Sequence, residues 1–91
     1  MREASDTAAS ADERTVRRAM RGSVEAYGIL IEKQKEYLYR MAYLYAGNED
    51  AALEIVQETV LRAFRSIRKL REPGLFRSWI TRILINVSKD Y

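Results

Sequence analysis

The 91-residue chain predicts an all-α fold, a compact bundle of three to four helices, on three observations. Its apolar residues recur at spacings of three and four, the period of a helix face. No stretch alternates apolar and polar residues as a half-buried strand does, and no segment repeats. Glycines and side-chain caps fall where the periodic stretches begin and end.

Residues 1–11 are rich in Ala, Ser, Thr and Asp with no periodic apolar face; the composition predicts a mobile tail, with the helical domain occupying residues 12–91. Residues 12–21 form a short helix with Val16 and Met20 on one side, ended by Gly22. Its Arg14, Arg17, Arg18 and Arg21 read as a solvated face, with DNA contact as the alternative. Ser23 then caps a long helix over 23–46, on which Tyr27, Leu30, Ile31, Leu38, Met41, Ala42 and Tyr45 keep helical spacing, interrupted by Gln34. Gly47 with Asn48 supplies the stop, and Tyr37, Tyr39 and Tyr43 are expected at helix edges with their hydroxyls in water. Asn48 or Glu49 caps a third helix over 50–69 with a stripe of Ala52, Val56, Val60, Ala63, Phe64 and Ile67. Residues 70–75 are a loop in which Pro73 and Gly74 break the chain. The last helix, over 76–91, carries Phe76, Trp79, Ile80, Ile83, Leu84 and Val87 as its apolar stripe.

Composition narrows the function. The chain has neither cysteine nor histidine, which removes disulfides, thiolate metal sites and the commonest general base. No nucleophile, base and orienter set can be assembled, so enzyme chemistry, metals and cofactors are not expected. No apolar run reaches the length of a membrane span and the N-terminal residues lack the apolar core of a secretory signal, so a cytoplasmic location without membrane contact is expected. The net charge of +3 conceals a segregation: residues 1–58 carry 8 Lys/Arg against 11 Asp/Glu, whereas residues 59–91 carry 8 against 2. A basic third joined to an acidic remainder suits a polyanion at one end and a basic partner at the other.

Two sets of residues stand out. On the last helix, Arg77, Arg82, Asn86 and Lys89 fall largely outside the apolar stripe and offer cationic and amide donors suited to phosphates and base edges. On the third helix the charges are sorted, Glu49, Asp50, Glu54 and Glu58 early and Arg62, Arg65, Arg68 and Lys69 late. Dipole matching and a Glu58–Arg62 i,i+4 pair account for part of this sorting. Exposure of Glu54, Gln57, Glu58 and Arg65 near one another would make a rim for a basic partner helix.

Three linked segments, RRAMRGSVEAYGIL, IVQETVLRAF and FRSWITRILINVSKDY, resemble region 2 of a bacterial RNA polymerase sigma factor of the extracytoplasmic-function type, with the resemblance running from Thr15 to Tyr91. It implies a non-enzymatic promoter-specificity subunit that binds core polymerase and captures the non-template strand of the −10 element as it opens. It also implies that the third helix docks on the clamp coiled coil of the β′ subunit through Glu54, Gln57 and Glu58, with Arg62 and Arg65 beside them. A base flipped from the duplex would be cradled by Leu70, Arg71, Glu72, Pro73, Gly74, Leu75 and Phe76. Arg77, Arg82, Asn86 and Lys89 would contact adjacent bases, with Arg68 and Lys69 at the approach. Trp79, on the apolar stripe, reads as core, with a stacking platform as the alternative; Phe76, at the loop boundary, reads as either core or base contact. An anti-sigma factor is a possible further partner.

The sequence departs from the family where Ser23 replaces an acidic residue, Tyr27 a Phe and Leu53-Glu54 a Glu-Asp pair, the last diluting the acidic docking surface. The resemblance also leads one to expect a linker and a second helical domain beyond Tyr91, so the chain reads as a domain fragment. Two other readings stay open: a helix-turn-helix regulator whose last helix enters the major groove of duplex DNA, and a helical protein-interaction module whose charges serve solubility.

Overall fold

The computed structural model describes residues 12–91, so the tail expected over residues 1–11 lies outside the described residues. Four α-helices follow in order: α1 (Glu13–Met20), α2 (Val24–Ala46), α3 (Glu49–Ser66) and α4 (Phe76–Ser88). Two 3₁₀ turns, Ile67–Lys69 and Pro73–Leu75, make the corner between α3 and α4. There is no strand among the described residues, as the periodicity requires. No helix among them is long and apolar enough to cross a membrane.

The boundaries follow from local chemistry. The Asp12 carboxylate accepts from the Arg14 N–H at the start of α1, and this backbone hydrogen bond holds its pKa below the usual carboxylate range. Gly22, at φ +107°, ends that segment in a conformation that L side chains rarely adopt. Ser23 Oγ accepts from the Ala26 N–H at 3.0 Å to open α2, and Gly47, in the left-handed region at φ 82°, closes it. Asn48 Oδ1 then accepts from the Ala51 N–H at 2.9 Å, so Asn48 starts α3 as well as ending the turn. The 23 residues of α2 span about 35 Å at ~1.5 Å per residue, which matches the 34 Å longest dimension of the molecule.

The core gathers Leu30 and Leu38 of α2, Ile55 and Ala63 of α3, and Phe76, Ile80, Leu84 and Val87 of α4, with Val16 and Ala19 of α1 covering one end. Three features differ from the expected stripes. Gln34 is buried within the α2 stripe rather than interrupting it, whereas Tyr45 is exposed. On α3 the buried line runs through Ile55 and Thr59, leaving Val56 and Val60 half-buried and Phe64 exposed. Thr59 enters the core because its hydroxyl donates to its own helix, to Ile55 O at 2.7 Å, and needs no other partner. Phe64 keeps a tilted contact with Tyr27, ring centroids 5.0 Å apart.

Two tyrosines use their hydroxyls inside the fold. Tyr27 donates to Val60 O at 2.6 Å, and burial pushes its pKa up, which keeps the proton available for that bond. Tyr37, expected to leave its hydroxyl in water, instead bonds the Thr81 hydroxyl at 2.8 Å and ties α2 to α4.

Candidate nucleic-acid interface and docking face

The two 3₁₀ turns position the first site. Leu70 leaves the first turn in extended geometry and buries its side chain, anchoring the loop to the core. Pro73 enters the second turn at its first position, where a missing N–H does no harm. Between this loop and the outer side of α4 lies an open recess of ≈ 260 Å³, walled by Lys69, Leu70, Arg71 and Leu75 from the loop and by Ser78, Trp79 and Arg82 from α4. Its volume is below the roughly 300–1,000 Å³ of drug-sized ligand pockets, suiting one planar ring system. Leu75 and Trp79 are apolar surfaces for such a ring, and Lys69, Arg71 and Arg82 are donors for its phosphates.

Trp79 and Phe76 differ in burial from what the sequence suggests. Phe76 is completely buried, so its side chain is core and cannot line the recess. Trp79, read as core, is only partly buried and forms a wall of the recess. The two rings stand 5.9 Å apart at 40°, so Phe76 supports Trp79 from beneath. Ser78 is the member of this site that sequence reasoning missed, its only sign being its position in the first turn of the helix that follows Pro73-Gly74. Trp79 reads from the sequence as core, with a stacking platform only as the alternative.

The expected wet face of α4 divides. Arg82, Asn86 and Lys89 are exposed and follow one another from the recess along the helix. Arg77 lies about 140° around the helix from Arg82 at ~100° per residue. Its guanidinium carbon sits 3.6 Å from the centroid of the Tyr37 ring. Arg77 is therefore packed against α2 and does not continue the line of Arg82, Asn86 and Lys89. Arg68, Arg71, Glu72 and Gly74 are exposed on the corner and Pro73 is half-buried.

The second site is the outward face of α3. Glu54, Gln57, Arg62 and Arg65 are exposed and Glu58 is half-exposed. Glu58 Oε2 accepts from Arg62 Nε at 2.8 Å, the i,i+4 pair expected from the spacing. This hydrogen bond raises the pKa of Arg62, and its guanidinium also lies 3.7 Å from Asp90 beyond the end of α4. Beside this face the sequence did not foretell an apolar groove of ≈ 500 Å³ between α2 and α3, bordered by Tyr39, Tyr43, Leu53 and Val56 with Lys35, Glu36 and Arg40 at its rim. Leu53 is 51% exposed, at one of the positions where the sequence departs from the acidic pair. An apolar centre flanked by Glu54 and Gln57 has the anatomy of a protein interface.

The profile of the family described as Sigma-70 region 2 matches residues 30–91. The chain is 38% identical over 61 residues to the RNA polymerase sigma factor SigV of Bacillus subtilis, covering 67% of this chain and 37% of that protein. Identity to the ECF RNA polymerase sigma factor SigE of Mycolicibacterium smegmatis is also 38% over 61 residues, covering 67% of this chain and 23% of that protein. Over 80 residues it is 29% identical to the ECF RNA polymerase sigma-E factor of Haemophilus influenzae, 88% of this chain and 42% of that protein. The chain thus spans less than half the length of these curated relatives.

Proposed function

Because the chain belongs to the sigma-70 region 2 family, we propose that residues 12–91 are the module of an extracytoplasmic-function sigma factor that docks on core RNA polymerase and captures a base of the opening −10 element. In this reading the domain is a binding module and not an enzyme, acting on polymerase in the cytoplasm. The observation that carries it is the placement of two chemically different surfaces on one small bundle: the cationic recess with an aromatic wall at the corner, and the face of α3 where exposed Glu54 and Gln57 with half-exposed Glu58 stand beside an apolar groove. The recess takes an unstacked base of the non-template strand against Trp79 and Leu75, while Arg82, Asn86 and Lys89 meet the bases and phosphates that follow. Glu54, Gln57 and Glu58, with Leu53 at their edge, receive the coiled coil of the β′ clamp.

Docking is tested by binding of the chain to an isolated β′ clamp coiled coil, wild type beside Glu58→Lys, at two salt concentrations. The expected result is binding that both added salt and the substitution weaken, because a carboxylate at a basic interface contributes through screened charge. A folded wild-type chain that binds no coiled coil would overturn the docking assignment.

Base reading is tested at Asn86. Its amide is suited to a bidentate bond with an adenine edge, so Asn86→Ala is expected to relax base preference while nonspecific affinity stays nearly constant. An equal loss on every oligonucleotide would make Asn86 a phosphate or structural residue.

A further inference from the structure

A second recess, of ≈ 400 Å³, opens where α1 meets the corner, and four arginines line it: Arg17 from α1, Arg21 at its C-cap, Arg68 from the first 3₁₀ turn and Arg71 from the loop. Met20 and Pro73 complete its wall. The arginines come from segments about fifty residues apart in sequence, brought together because α1 packs against both turns. Gly22 lies beside them, its Cβ position in van der Waals range of Arg68 Nη2 at 3.4 Å. Arg17 shares a 3.4 Å pair with Glu13, both about half exposed. Among the described residues no acidic side chain forms an ion pair with Arg21, Arg68 or Arg71. Glu13, whose carboxylate also stands beside Gly74, offsets one of the four charges; the remaining excess of positive charge around one concavity is self-repelling, and an anion between the arginines relieves that repulsion. Planar guanidinium forks match phosphate oxygens in pairs.

Arg71 lines this recess and the Trp79 recess alike, so the two are neighbours around one side chain. We propose that the four-arginine recess holds the phosphodiester backbone of the same single strand whose base enters against Trp79, which makes α1, through Arg17 and Arg21, part of the nucleic-acid interface. The proposal rests on the reading that the corner recess takes a base. It assigns division of labour: Trp79 and Asn86 sense the base, and Arg17 and Arg21 fix the strand without regard to sequence.

The test compares the 91-residue wild-type chain, Arg17→Gln/Arg21→Gln and the charge-matched control Arg14→Gln/Arg18→Gln. Arg14 and Arg18 are exposed on α1 but do not line the recess. Affinity for short single-stranded oligonucleotides is measured across a salt series, and inorganic phosphate is run as a competitor. Each neutralised phosphate contributes about −0.7 to the slope of log affinity against log salt for a single strand. The recess pair is expected to lose about 1.4 of that slope by the same rule with base preference unchanged, and the control pair to keep the wild-type slope. Equal losses from both pairs would reduce the effect to net charge and overturn the proposal. An unaltered slope in Arg17→Gln/Arg21→Gln, with wild type still binding the strand selectively, would overturn this proposal and leave the base-capture reading standing. A wild-type chain that binds no single strand would overturn both. Inorganic phosphate competing as well as the oligonucleotide at equal phosphate would assign the recess to small anions instead.

Discussion

Phe76→Ala is expected to destabilise the fold by about 3–5 kcal/mol, the range for truncating a fully buried aromatic ring. Phe76 is 0% exposed at the start of α4 and belongs to the same core as Ile80, Leu84 and the α1 residues Val16 and Ala19. A chain of this length has a total stability of roughly 5–14 kcal/mol at the usual value per residue, so the loss removes a large share of it. The melting temperature should fall by at least about 12 °C, at 4–8 °C per kcal/mol for a domain of this size. Thermal unfolding of the two proteins, followed by circular dichroism, checks this. A change of only a few degrees would mean that the ring does little in the core and would reopen its assignment to the recess.

Trp79→Ala has the opposite profile. The ring is only partly buried, so its removal costs less stability, but it takes away the aromatic wall of the recess. Stacking of a base on an aromatic side chain contributes about 1–3 kcal/mol, so affinity for a single strand is expected to fall roughly 5- to 150-fold. Trp79 is the sole tryptophan of the chain. Its fluorescence therefore reports directly on the recess, and adding an oligonucleotide to the wild-type chain should quench it. Unquenched emission, together with unchanged affinity in the alanine variant, would return Trp79 to a purely structural role.

The helices and their ends were legible in the sequence because each is decided within a few residues: Ser23, Gly47 and Asn48 act through bonds to backbone groups no more than four positions away. What was not legible depended on distant segments. Phe76 and Trp79 both lie on the apolar arc of α4, and periodicity cannot tell which one the loop will cover. Arg77 reads as a wet-face cation until Tyr37, forty positions earlier, offers its ring. Thr59 and Gln34 break a hydrophobic pattern yet are buried, Thr59 because its hydroxyl is satisfied locally. Phe64 and Tyr45 fit the pattern yet are exposed, and on α3 the buried line runs instead through Ala52, Ile55, Thr59 and Ala63. At the candidate interface the loop and the exposed line of Arg82, Asn86 and Lys89 could be anticipated. The wall contributed by Ser78, the choice of Trp79 as wall rather than core, and the convergence of α1 on the corner could not.

The packing of α1 against the two turns has a kinetic side. The reversal at Gly47 joins α2 and α3 through partners close along the chain, and such contacts form early because little loop entropy opposes them. Seating α1 on the corner closes a loop of about fifty residues, from Gly22 to Arg68, and cannot precede the structures it rests on. The arginine recess is thus assembled by a long-range closure, comparable in span to the 44-residue separation bridged by Tyr37 and Thr81. Its order of appearance follows from topology, independently of how tightly its finished walls pack.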